Sequence, residues 1–143
     1  MIYLDTSFVA PLILREATSA RVERFVARLP AGEPAVSHWT RVEFSSLLAR
    51  EVRMGGLPRQ AALDAEAEFN SVVAESFVVL VPAVADFDLA KKYLANHATG
   101  LGAGDALHLA IAANRGASAI YSLDKTLVKA GRTLGLPVRG LGS

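Results

Sequence analysis

Four carboxylates stand where a chain of this pattern turns from strand to helix or opens a helix. Asp5 ends the apolar run Met1-Ile2-Tyr3-Leu4 and is followed by Thr6-Ser7. Glu43 lies one turn into the helical pattern that follows Ala35-Val36-Ser37. Asp105 follows the glycine-rich stretch 98–104, and Asp124 follows Ala119-Ile120-Tyr121 and Ser122-Leu123. If the strands run parallel, Asp5, Glu43 and Asp124 share one edge of the sheet, the edge at which open α/β sheets bind ligands, and Asp105 joins them if the turn at Gly102–Gly104 reaches the same edge. Carboxylate oxygens are hard ligands suited to Mg²⁺ or Mn²⁺. Packed together they repel one another and hold protons more tightly unless a cation neutralises them. No lysine falls inside the cluster, so a divalent metal is the simplest counter-charge. One or two such ions lower the pKa of a bound water and hold phosphate oxygens in line for attack.

Each residue also has a plainer use. Asp5 or Thr6 suits a helix N-cap, and Thr40 with Glu43 has capping-box spacing. Asp105 fits an N-cap and Asp124 a turn. The case for a site rests on all four meeting at one edge.

The elements that must carry these residues are legible as hydrophobic patterns. The opening apolar run reads as a buried central strand. Phe8 to Leu14 reads as a short apolar helix, with Pro11 near enough to its start to be tolerated. In 20–29, Val22, Phe25, Val26 and Leu29 recur at helical spacing. Arg21, Arg24 and Arg28 fall on the other side, by default a solvated face. A loop at 30–34 leads to a brief strand, Ala35-Val36-Ser37. A helix is expected from Thr40, with Val42, Phe44, Leu47, Leu48 and Val52 apolar and Arg41, Arg50 and Arg53 among its charges. Met54-Gly55-Gly56-Leu57-Pro58 closes it, and a long helix follows over 58–75. Phe77 to Val81 is the clearest strand, closed by Pro82. Helices over 84–97 and 105–114 come next, then a strand at 119–121 and a helix to about 132, with Gly131 in its fraying end. Pro137-Val138 is a last short strand. Strands alternating with helices imply parallel strands joined by right-handed crossovers.

Composition narrows the class. A chain of 143 residues suits one domain spanning 1–143. It is 52% hydrophobic, with a mean hydropathy of +0.32. No apolar run approaches the roughly 18–20 residues of a membrane span, and no signal peptide is expected. Much of the hydrophobicity is alanine in helical stretches; the excess suggests a partner or self-association. Cysteine is absent, which excludes disulfides and thiolate metal sites and fits the cytoplasm. A net charge of +1 gives no global field, so nucleic-acid binding would come from local patches.

The chain also resembles a known family. Asp5 with Thr6-Ser7, the helix-borne Glu43, the segment Gly104-Asp105-Ala106-Leu107-His108-Leu109-Ala110 and the run Tyr121-Ser122-Leu123-Asp124-Lys125 are similar to the PIN domain, specifically the VapC-type toxins of toxin–antitoxin pairs. The likeness covers essentially the whole chain, in order. It implies a parallel sheet of order 3-2-1-4-5, dependence on Mg²⁺ or Mn²⁺, and endonucleolytic cleavage of RNA. Asp5, Glu43, Asp105 and Asp124 match the family's acidic set, and Ser7 and Ser122 its polar support positions. The resemblance also implies a cognate antitoxin, covering apolar helix surface and placing a basic side chain near the acids. A homodimer is expected because two-fold dimers are the commonest assembly.

Other residues carry weaker signals. His108 lies one turn from Asp105, but metal-bound water already supplies hydroxide in such chemistry, so a packed histidine is the default. His38 and Trp39 suit stacking on a base, although packing at a rim is the ordinary role of such a tryptophan. The glycine cluster is not a P-loop, because no Gly-Lys-Ser/Thr follows. A receiver-type phosphoryl-transfer domain also gathers carboxylates at strand ends, but leaves Glu43 without a role. A non-catalytic interaction module would be favoured by a missing acid, and none is missing.

Overall fold

The structure, a computed structural model, describes residues 1–142. Strand β1 (Ile2–Leu4) lies at the centre of a sheet that also contains β2 (Pro34–Ser37), β3 (Val78–Leu80), β4 (Ala119–Tyr121) and β5 (Val138–Arg139). All pairings are parallel, in the order β3-β2-β1-β4-β5. Tyr3 is in register with Ala35 on one side and Ile120 on the other. This is the order that the resemblance implies, and it differs from the 2-1-3-4-5 order of receiver domains. Tyr3, Leu4, Ala35, Val36 and Ile120 have no exposed surface. Strands buried on both faces read as continuous apolar runs rather than alternating ones, which is why β1 is legible in sequence.

Helices cover both faces. Alternate strand residues point to opposite sides, so Leu4 joins one core and Tyr3 the other. The first core is closed by α1 (Thr6–Val9), α2 (Ser19–Ala27), α3 (His38–Arg53) and α4 (Arg59–Ser76). Phe44 of α3 stacks on Phe69 of α4 with ring centroids 4.2 Å apart. The second core is closed by α5 (Val84–Ala95), α6 (Ala103–Asn114) and α7 (Lys125–Thr133). Residues Ala106 to Ala112 of α6 are all buried and, His108 apart, apolar, so this helix is enclosed around its circumference, as a central helix must be. Its far end is anchored by buried Asp86 of α5, which accepts hydrogen bonds from Asn114 and Arg115. Among the described residues no helix is long and apolar enough to cross a membrane.

Several boundaries differ from the sequence expectation, each for a physical reason. The first helix starts at Thr6 and ends at Val9; Ala10–Leu12 is a 3₁₀ turn. Pro11 has no N–H to continue the α ladder, so the chain tightens there. Helix α3 begins at His38, not Thr40. Ser37 is its N-cap, and the Thr40 side chain accepts from the Ser37 N–H while Ser37 accepts from the Thr40 N–H. Glu43 therefore takes no part in capping. Val42, expected on the apolar face, is 59% exposed. Helix α6 begins at Ala103 with Gly102 as its N-cap, so Asp105 is not a cap but sits within the first turn. Gly131 lies inside α7 rather than at a frayed end; it packs against Val138, where a Cβ would leave no room.

Candidate active site

Asp5 is almost fully buried at the C-terminal end of β1, and it does cap α1. Its Oδ1 accepts hydrogen bonds from the Phe8 N–H at 3.0 Å and from Ser7 Oγ at 2.7 Å. Its Oδ2 accepts from Ser122 Oγ at 2.5 Å. Ser7 in turn accepts from the Leu123 N–H at 2.9 Å, and Ser122 from the Asp124 N–H at 3.0 Å. The two serines thus tie the ends of β1 and β4 together around one carboxylate. Burial pushes the Asp5 carboxyl up; the charge of His108 and the bonds from Ser122, Ser7 and Phe8 oppose the shift without cancelling it.

Glu43 reaches the same edge from α3. Thr6 Oγ1 donates to its Oε1 at 2.6 Å, and His108 Nε2 makes a close contact with that oxygen. Burial pushes the Glu43 carboxyl up, but the hydrogen bond and charge of His108, together with Thr6, outweigh it and hold the group below the usual carboxylate range. Asp124 caps α7, its Oδ1 accepting from the N–H groups of Thr126 at 2.8 Å and Leu127 at 3.3 Å. Its capping and its place in the cleft are compatible, because the cap uses one oxygen.

Asp105 stands in a different state from the other three. Among the described residues its side chain accepts no hydrogen bond. Burial raises its pKa, and Asp124, Asp5 and Glu43 add repulsion that His108 only partly offsets, so the carboxyl is pushed up to about 6. A half-buried carboxylate with like charges around it and no donor is left without a full counter-charge.

All four acids line one open cavity of about 440 Å³, together with Thr6, Ser7 and His108 and, from α3, Ser46 and Arg50. In sequence Thr6 gives no sign of its bond to Glu43, and Arg50 looks like one of a row with Arg41 and Arg53. The available signal was spacing: Ser46, Leu47 and Arg50 fall three, four and seven positions after Glu43, on one helix face. Trp39 and His38 stay outside the cavity. Trp39 Nε1 donates to the Gly104 carbonyl at 3.2 Å, the packing role, and exposed His38 Nδ1 lies 2.8 Å from Arg41.

The donor set fits a hard divalent cation: it is anionic, all-oxygen, and includes an under-compensated Asp105. Among the described residues no three Asp, Glu or His side chains are drawn together as tightly as a metal cage. Asp5 is engaged by its two serines, and Glu43 by Thr6 and His108.

A doubly covered parallel sheet with an acidic cleft at its C-terminal edge defines an α/β protein whose site gathers carboxylates from separate elements. The PIN domain family model matches residues 2–132, so the chain belongs to the PIN domain family. Solved structures of the same fold include VapC20 of Mycobacterium tuberculosis, described as a Sarcin-Ricin loop cleaving toxin, at 25% identity and a TM-score of 0.70, covering 92% of this chain and 95% of that one. VapBC-1 from nontypeable Haemophilus influenzae aligns over 100% of both chains with 18% identity and a TM-score of 0.67. VapBC2 from Rickettsia felis, bound to a DNA fragment from its promoter, shares 12% identity over 98% of both chains with a TM-score of 0.69. Comparison with curated proteins finds no significant sequence match. Family membership and sheet order together dismiss the receiver-type reading.

Proposed function

We propose that this protein is the toxin of a type II toxin–antitoxin pair, a single PIN domain over 1–143 that acts in the cytoplasm as a metal-dependent endoribonuclease. Asp5, Glu43, Asp105 and Asp124 would hold Mg²⁺ or Mn²⁺, with Ser7 and Ser122 supporting Asp5. Bound there, the metal would lower the pKa of a water and neutralise phosphate oxygens. The chain's own part is to present the carboxylates from a rigid frame. Asp5 is fixed by three donors, and Asp105 stays ready for a cation because His108 compensates its charge only in part. Arg50 on the cleft wall offers a cation to a phosphate.

The observation that carries this reading is the meeting of four carboxylates in one cavity, with Asp105 raised to about 6 by burial and by its neighbours. A second feature favours RNA as substrate. Beyond the segment 122–125, which also borders the acidic cleft, a groove of about 610 Å³ is lined by Arg21, Lys125, Lys129 and Arg132 over an apolar floor of Leu123, Val128 and Leu141. Cations track a phosphate backbone, and apolar surface receives bases. Exposed Val42, Leu63, Val84 and Phe87 leave apolar surface for an antitoxin and for a second copy of the chain.

The test is cleavage of single-stranded RNA by protein freed of metal. EDTA is expected to abolish cleavage, Mn²⁺ to restore it, and Asp105→Asn to remove it. Metal-independent cleavage by a clean preparation would defeat the reading. Absence of cleavage with either metal would leave the interaction module as the better account.

A further inference from the structure

A chain of buried polar groups runs from the core of the second sheet face to the acidic cleft. The Thr40 N–H donates to Ser37 Oγ at 3.4 Å. Ser37 Oγ lies 2.9 Å from the Tyr3 hydroxyl, and that hydroxyl lies 2.7 Å from His108 Nδ1. The other ring nitrogen, Nε2, meets Glu43 Oε1, the oxygen that also accepts from Thr6. Tyr3 and Ser37 have no exposed surface and His108 has 1%. A tyrosine in a parallel strand normally contributes ring area, and its hydroxyl needs a partner when buried. Here the partner is the far side of a histidine whose near side holds a cleft carboxylate. Phenol and serine hydroxyls both donate and accept, so Nδ1 is satisfied whichever role it takes.

The opposite side of Glu43 is confined as well. A Cβ on Gly104 would fall 2.7 Å from Glu43 Oε2 and 3.4 Å from the Trp39 ring. Trp39 holds that turn of α6 by its bond to the Gly104 carbonyl. The glycine leaves the space that Oε2 occupies, while Thr6 and His108 hold Oε1.

We propose that His108, anchored by Tyr3, is a positioning residue that sets the orientation of the Glu43 carboxylate in the cleft, with Gly104 completing the clamp. The proposal rests on the metal-dependent reading above. His108 does not act as a general base in this arrangement, since Nε2 is spent on Glu43 and Thr6 and Nδ1 on Tyr3. A glutamate has several rotatable bonds; a carboxylate held beforehand spares the cost of ordering it when a ligand arrives.

Three replacements test the clamp: Tyr3→Phe, which keeps the ring and removes the hydroxyl; His108→Gln, set beside His108→Ala; and Gly104→Ala. The last is the sharpest, because its Cβ meets chiefly the tip of a flexible side chain, so the fold is kept while Glu43 must move. Mn²⁺ titration of metal-free protein, followed by electron paramagnetic resonance, is expected to show affinity weakened about tenfold or more in Gly104→Ala and Tyr3→Phe, the scale for groups that orient a metal ligand. The kcat on RNA should fall with KM unchanged, the melting temperature of Gly104→Ala should match the parent, and His108→Gln should retain more of both properties than His108→Ala. Parent-like Mn²⁺ affinity and kcat in Gly104→Ala and Tyr3→Phe would reduce His108 to a packed core residue and overturn the proposal. Should Tyr3→Phe fail to fold, Gly104→Ala decides alone. If the parent itself neither binds Mn²⁺ nor cleaves RNA, the functional reading fails. The ring-nitrogen NMR signals of His108 in metal-free protein still judge the clamp: Tyr3→Phe and Glu43→Gln must each shift them, and unmoved signals overturn it.

Discussion

Ser122 Oγ donates a 2.5 Å hydrogen bond to Asp5 Oδ2, joining residues 117 positions apart in sequence at the ends of β4 and β1. The same hydroxyl accepts from the Asp124 N–H, so one serine organises two members of the acidic set. Ser122→Ala removes both hydrogen bonds in a buried place. A hydrogen bond to a charged group contributes about 1.5–3 kcal/mol, and urea denaturation of the metal-free variant is expected to show a loss of that order. Ser122→Cys, with its weaker donor, should fall between. A loss within experimental scatter for the alanine variant would mean that water replaces the serine and that Asp5 is less enclosed than its burial indicates.

Asp105 makes the stability of the metal-free protein depend on pH. Its folded-state pKa, about 6, lies above the ordinary aspartate value of 3.8. Between these values the folded protein holds more protons than the unfolded chain, so stability falls as pH rises. This contribution is fully present below the unfolded pKa and is lost as pH passes through about 6. Asp105→Asn should flatten that slope and leave the metal-free protein as stable as the parent at pH 7, or more so. Solvent screens a half-buried group, so the gain is of order 1 kcal/mol rather than the full shift. Saturating Mg²⁺ should narrow or reverse the gap, since the metal stabilises the parent by mass action and the variant less. Thermal melting in EDTA and in Mg²⁺ checks both points. A variant markedly less stable than the parent in EDTA would show that Asp105 is a structural support of α6.

The basic groove separates two groups of arginines that look alike in sequence. Arg21 lines it; Arg24 on the same helix and Arg28 at its C-terminal end, though exposed, do not. Replacing Lys125 and Lys129 together by alanine should weaken binding of single-stranded RNA and lower the slope of log affinity against log salt by up to about 1.4, at roughly 0.7 for each phosphate no longer neutralised. Arg24→Ala with Arg28→Ala should leave the slope unchanged. Filter binding in EDTA across a salt series measures it without cleavage. Equal effects from the two pairs would point to diffuse attraction rather than a path along α7.

Tyr3 and Thr6 show where sequence legibility ends. By itself the sequence determined the alternation of strands and helices, the burial of β1, and the identity of the four carboxylates that line the cleft. These are properties of local pattern: apolar runs bury, helical spacing makes faces, and an acid after a buried strand stands at its end. The tertiary structure decided what each of them touches. Tyr3 reads as one more apolar strand residue until α6 crosses its face and brings His108 to its hydroxyl. Thr6 reads as a capping residue until α3 delivers Glu43 to it. The same holds for Asp105, which looks like an N-cap in sequence. Gly102 takes that place and turns the aspartate, one position after Gly104, into the cavity with three other anions. Hydrogen bonds and repulsions of this kind join residues 37, 65 and 105 positions apart. Spacing along the chain carries no trace of them, because they exist only once the crossovers have stacked the helices on the sheet.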